Sequence, residues 1–97
     1  MENQIKDWLS FCHRSYSTAT TKTYRCVIHQ LHRYVLQNGQ ELTEAAIENF
    51  LDSKYKAGGS KREFNTYRMV IRSFCNWRQR KYEIPSPANN IPKVKEG

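Results

Sequence analysis

The sequence is poor in several residue types, and each shortage excludes a class of protein. Three cysteines, an odd number at wide spacings, exclude a dense disulfide scaffold and indicate reduced thiols. The sequence has only four glycines, and they do not form the Gly-rich loop with which nucleotide-binding proteins hold phosphate. No apolar run approaches the ~20 residues that cross a bilayer, and no apolar secretory segment follows Met1. These shortages predict a soluble cytoplasmic protein that does not enter membranes.

Acidic residues are also scarce relative to basic ones, and the excess of positive charge is distributed unevenly along the chain. Sixteen Lys and Arg oppose nine Asp and Glu, which gives a net charge of +7 in 97 residues. Residues 1–59 carry seven basic and six acidic groups (+1), whereas residues 60–97 carry nine and three (+6). Hydrophobic residues at 38% are too many for a disordered basic tail. The chain is therefore predicted to be one small domain that is attracted to a polyanion, chiefly through its second half.

The apolar spacing predicts an all-α fold with four helices. We expect them at residues 3–13, from a cap at Ser17 or Thr18 to Gln37, from Thr43 to Gly58, and from Ser60 to residue 82. The expected inward residues are Ile5, Trp8, Leu9, Cys12, Tyr24, Ile28, Leu31, Val35, Ile47, Phe50, Leu51, Tyr55, Phe64, Tyr67, Val70, Ile71, Phe74 and Trp77. All three cysteines lie in these apolar stretches, where a free cysteine packs as a small hydrophobe.

The three prolines all follow the fourth helix and predict an extended C-terminal tail. The expected architecture is a compact four-helix domain over residues 1–84, followed by a linker over residues 85–97. The linker carries the cations Lys93 and Lys95.

Polar and basic residues recur at helical spacing on the second and fourth helices. Lysine and arginine neutralise phosphates, whereas asparagine, threonine and arginine also reach base edges. Arg68 and Asn65 are expected to read bases, and Lys61 to contact phosphate. The candidate DNA-binding residues are Thr18, Thr21, Lys22, Arg25, His29, Lys61, Arg62, Asn65, Thr66, Arg68, Arg72, Lys93 and Lys95.

Three other patterns favour plainer interpretations. A basic helix face is often only a solvated face, although two matching stripes weaken that explanation here. Glu44, Glu48 and Asp52 form an acidic face on the third helix, which should lie away from a phosphate ligand. The string Cys26-x2-His29-x2-His32 lacks the spacing of a zinc site, so we expect no metal and no cofactor.

Three stretches of the sequence form a recognisable series: "YSTATTKTYRCVIHQLHRYV", "LTEAAIENFLDSKYKAGGSKREFNTYRMVIRSFCNWRQR" and "SPANNIPKVK". Together they resemble the core-binding domain of the tyrosine recombinase (phage integrase) family. The family's Ser/Thr-rich start, its "lt…i..fl" pattern and its last-helix "n….lr.F..w" pattern are all matched in order. The family's "NPa" segment differs here, because Ser86 replaces its first residue.

The resemblance implies a SAM-like helical domain that clamps duplex DNA together with a catalytic domain of the same parent chain. The family's catalytic arginines, lysine, histidine and tyrosine are not found here, so the chain itself is expected to be non-enzymatic and to serve DNA recombination and integration. Other recombinase protomers on the DNA are further expected partners, in a prokaryotic or phage-encoded, nucleoid-associated setting. A helical protein-interaction domain and a small RNA-binding domain remain alternatives.

Overall fold

The computed structural model describes residues 1–96 and contains four helices. They are α1 (Glu2–Ser15), α2 (Thr18–Gln37), α3 (Glu44–Lys56) and α4 (Lys61–Tyr82). No strand occurs within residues 1–96. The predicted all-α class and the number of helices are therefore confirmed.

Side-chain caps start three of the helices where the sequence placed them. Ser17 Oγ accepts a hydrogen bond from the Thr20 N–H at 3.2 Å, and Ser60 Oγ accepts one from the Glu63 N–H at 3.0 Å. Thr43 Oγ1 accepts one from Ala46 in the same way. Each cap satisfies a backbone donor that has no partner within its helix. The first helix is longer than predicted at both ends, from Glu2 to Ser15.

The core includes α4, which, like α2, packs against each of the other three helices. Phe74 is fully buried at its centre, with the Trp8 ring edge-on at 5.3 Å and the Trp77 ring stacked at 6.4 Å. Aromatic pairs at such separations add to the stabilisation that comes from burial. This aromatic cluster joins α1 to α4.

Two expected core residues lie at the surface. Tyr55 is 43% exposed, near the end of α3. Cys26 is also exposed, although Cys12 and Cys75 are buried. Cys26 lies two residues before the buried Ile28, about 200° away around the helix, so its side chain points outward. The expectation that all three cysteines pack in the core was therefore wrong for Cys26.

The residues after α4 fold back onto the helical body. Glu83 ends α4 in the left-handed conformation, with φ of 57°. Residues 83–96 then contain a turn at 87–90 and no helix or strand. Ala88 and Ile91 are buried in the core, at 1% and 2% exposure. The predicted linker is thus attached to the domain through Ala88 and Ile91, and its last residue, Gly97, lies outside the described residues.

Candidate nucleic-acid interface

A cationic cleft lies between the first half of α4 and the C-terminal segment. Its volume is about 350 Å³. The residues that line it are Arg62, Asn65, Thr66, Arg68, Met69, Lys93 and Glu96. Five of the thirteen predicted site residues are therefore brought together here, three of them cations. We call this feature the α4 cleft.

Asn65 is held by the C-terminal segment. Its Nδ2 donates to the Val94 carbonyl at 2.7 Å, and its Oδ1 accepts from the Val94 N–H at 2.8 Å. Only 8% of the residue is exposed. Both ends of the side-chain amide are engaged by one backbone residue, so Asn65 is not free for the predicted bidentate contact with adenine.

Arg68 also contacts the C-terminal segment but keeps a side open to the cleft. Its Nε donates to the Ile91 carbonyl at 2.7 Å. Burial, followed by the neighbouring charge of Arg72, lowers the pKa of Arg68 from its ordinary value. A guanidinium remains protonated in proteins and has four further N–H donors besides Nε. Arg68 can therefore bind an anion while it anchors the segment.

A second group of predicted residues lines a small groove between α1 and α2. Thr18, Thr21, Lys22 and Arg25 line it together with His13, around a volume of about 90 Å³. Thr21 is buried, and its hydroxyl donates to the Cys12 carbonyl at 3.2 Å. Thr21 thus joins α2 to α1, whereas Thr18, Lys22 and Arg25 are exposed.

The two groups line separate clefts. Gln30 faces α4, because its Nε2 donates to Tyr67 Oη at 3.2 Å. Arg25 is five residues away from Gln30, which puts the two side chains about 140° apart around α2. The basic stripe of α2 therefore lies towards α1 and solvent, and the groove that it lines shares no residue with the α4 cleft.

The four remaining predicted residues line neither the α4 cleft nor the groove between α1 and α2. Lys61 is exposed at the first position of α4, and His29 and Lys95 are also exposed. Arg72 is half-buried, and its Nε has no hydrogen-bond partner among the described residues. None of these four residues lines the α4 cleft.

The acidic face of α3 is closer to the cationic surface than expected. Glu48 and Asp52 line a groove with Ile91, Lys93 and other residues of the C-terminal segment. Lys93 therefore borders two clefts, one cationic and one partly acidic. Its position between them depends on how the segment is held.

Met69 and Glu96 line the α4 cleft but were not predicted from the sequence. Met69 is 47% exposed and adds an apolar contact beside the cations. It lies three residues after Thr66 and four after Asn65, so helical spacing alone could have identified it. Glu96 adds a carboxylate on the far side, where no local sequence pattern predicts proximity to α4.

Neither a scan against protein-family models nor searches of curated proteins and of solved structures found a match. Across the described part of the chain, no three His, Cys, Asp or Glu side chains are grouped as metal ligands would be. None of the helices in residues 1–96 has the length and apolar character needed to span a membrane.

Proposed function

We propose that this chain is a duplex-DNA-binding module of the tyrosine recombinase type, with a SAM-like helical fold and no catalysis of its own. In this proposal it acts in the cytoplasm and contributes to DNA recombination and integration by clamping site DNA beside a catalytic domain. The observation that carries the proposal is the α4 cleft, where Arg62, Arg68 and Lys93 surround one concave surface.

The chemistry of this cleft suits a phosphodiester backbone. Three cations supply charge and N–H donors, and Thr66 supplies a hydroxyl. Met69 offers apolar contact of the kind that suits a thymine methyl group. The major groove, about 12 Å wide, admits a helix such as α4. Because the side-chain amide of Asn65 is buried, we assign base reading to Arg62, Arg68 and Thr66 instead.

We assign Tyr82 a structural role rather than that of a nucleophile. Its hydroxyl donates to Asp7 Oδ2 at 2.6 Å, at the opposite end of α4 from the cleft. A tyrosine that attacks phosphate reacts as its phenolate, which neighbouring cations would stabilise. A carboxylate neighbour acts in the opposite direction.

The salt dependence of duplex binding tests the proposal. Each neutralised phosphate contributes about −0.9 to the slope of log K against log salt. Three cations of the α4 cleft give about −3, and engagement of Lys22 and Arg25 as well gives about −4 to −5. A slope near −1 would contradict the proposal. Affinity should lie in the non-specific range of roughly 10⁻⁴–10⁻⁶ M.

A matched pair of arginine variants locates the contact. Arg62→Ala should weaken binding and make the slope of log K against log salt about 0.9 less negative. Arg33→Ala removes the same charge from the groove between α2 and α3 and should have little effect. Equal losses in both variants would mean that net charge, rather than the α4 cleft, drives binding. Tighter binding to an RNA duplex than to DNA would favour the RNA-binding alternative.

A further inference from the structure

We propose that Asn65 is a positioning residue that acts through Lys93, holding this cation at the α4 cleft for contact with phosphate. The inference rests on the proposed function and assigns Asn65 a different role from base reading. It follows from a contact that joins residues 29 positions apart in the chain.

The contact has the geometry of a clip. Asn65 engages both the N–H and the carbonyl of Val94, the residue that follows Lys93. Arg68 binds the Ile91 carbonyl, two residues before Lys93. The backbone on either side of Lys93 is therefore fixed to α4. Because both contacts use main-chain atoms of the segment, its side chains, including that of Lys93, remain available for a ligand.

The clip supplies the polar part of the attachment beyond Ile91, where Val94 is half-buried. Ala88 and Ile91 anchor the segment by burial. Beyond Ile91, the hydrogen bonds described within residues 92–96 are the two to Asn65. Without them, Lys93 would keep its charge but lose its fixed position.

Electrostatics gives the position its importance. Lys93 borders the α4 cleft on one side and the groove that contains Glu48 and Asp52 on the other. An unconstrained lysine would be repelled by Arg62 and Arg68 and attracted to the two carboxylates. The Asn65 clip opposes that drift by fixing the main chain, so a phosphate at the α4 cleft meets a cation already in place.

A double-mutant cycle with a 20-base-pair duplex tests the coupling. Lys93→Ala should make the slope of log K against log salt about 0.9 less negative, and Asn65→Ala should have nearly the same effect. In the Lys93→Ala background, adding Asn65→Ala should cause no further loss, because its route of action is already removed. Asn76→Ala is the matched control: the same substitution on α4, at a residue in the groove between α1 and α4.

A second measurement examines the clip without DNA. Asn65→Ala should accelerate hydrogen exchange at the Val94 amide, whereas Asn76→Ala should not. Val94→Pro removes the amide donor from the tail side and should reproduce the DNA-binding loss of Asn65→Ala with α4 unaltered. This second variant keeps the test valid if Asn65→Ala fails to fold.

The possible failures are distinguishable. Equal losses from Asn65→Ala in the wild-type and Lys93→Ala backgrounds would mean that Asn65 contacts DNA itself, which overturns the inference alone. Unchanged Val94 exchange in Asn65→Ala would also overturn it. If the wild-type chain binds no duplex but the exchange result holds, the proposed function fails while the clip stands as a purely structural contact.

Discussion

Tyr82, the last residue of α4, donates its hydroxyl to Asp7 Oδ2 on α1 across 2.6 Å. The donated hydrogen bond to Asp7, followed by a smaller effect of burial, raises the pKa of Tyr82. Removing the phenol proton would lose the hydrogen bond and leave two negative charges in contact.

Asp7→Asn should therefore return the pKa of Tyr82 towards its ordinary value. Spectrophotometric titration between pH 9 and 12 measures the change, with Tyr82→Phe identifying which of the six tyrosines is responsible. An unchanged titration curve in Asp7→Asn would show that the two side chains do not meet in solution.

The three thiols should react at very different rates. Cys26 is exposed, whereas Cys12 and Cys75 are buried and their pKa values are raised to about 11, mainly by burial. Because the thiolate is the reactive form, a maleimide should label one thiol rapidly at neutral pH and the other two only on unfolding. Mass spectrometry counts the labels, and Cys26→Ser should abolish the fast one. Two or three fast labels would contradict the described packing.

Stability should fall in alkaline solution for the same reason. The two buried thiols have ordinary pKa values of 9.0 and folded values of about 11. Their contribution is complete below pH 9, and it is lost as the pH rises towards 11, because the unfolded chain then binds fewer protons. Thermal melts from pH 8 to 11 should show this decline, with a shallower slope in Cys75→Ala than in wild type. A flat profile would argue against the raised values.

Thr21 should matter for stability and not for DNA. Thr21→Val keeps the shape of the side chain but removes the buried hydrogen bond to the Cys12 carbonyl, at a cost of about 0.5–1.5 kcal/mol. Thr18→Val, at an exposed position in the same groove, should leave the free energy of unfolding nearly unchanged. Urea denaturation and duplex titration together separate the two roles. A loss of binding in Thr21→Val at full stability would restore Thr21 to the interface.

The four helices could be predicted from the sequence because the signals that define them are local. Helical periodicity and the caps at Ser17, Thr43 and Ser60 operate within four residues, so they could be read directly. The same periodicity could have identified Thr21 as a core position, because Thr21, Ile28 and Val35 repeat every seven residues on one face. Its hydroxyl instead suggested a polar role.

The candidate site was harder to predict because its decisive contacts are not local. Asn65 and Val94 are 29 residues apart, and the sequence gives no periodic signal for a helix side chain that binds a distant backbone. The prolines predicted an irregular segment after α4 but not its return to the helix. The presence of Lys93 beside Arg62 and Arg68 depends on that return.

The central position of α4 has a consequence for how the domain opens. A 22-residue helix is about 33 Å long, which equals the longest dimension of the molecule, 33 Å. Since α1, α2 and α3 all pack on α4, none can expose its central amides by leaving alone. The amides from Val70 to Cys75 should then exchange with solvent only through global unfolding, which makes this short stretch a direct gauge of the cooperativity of the whole domain.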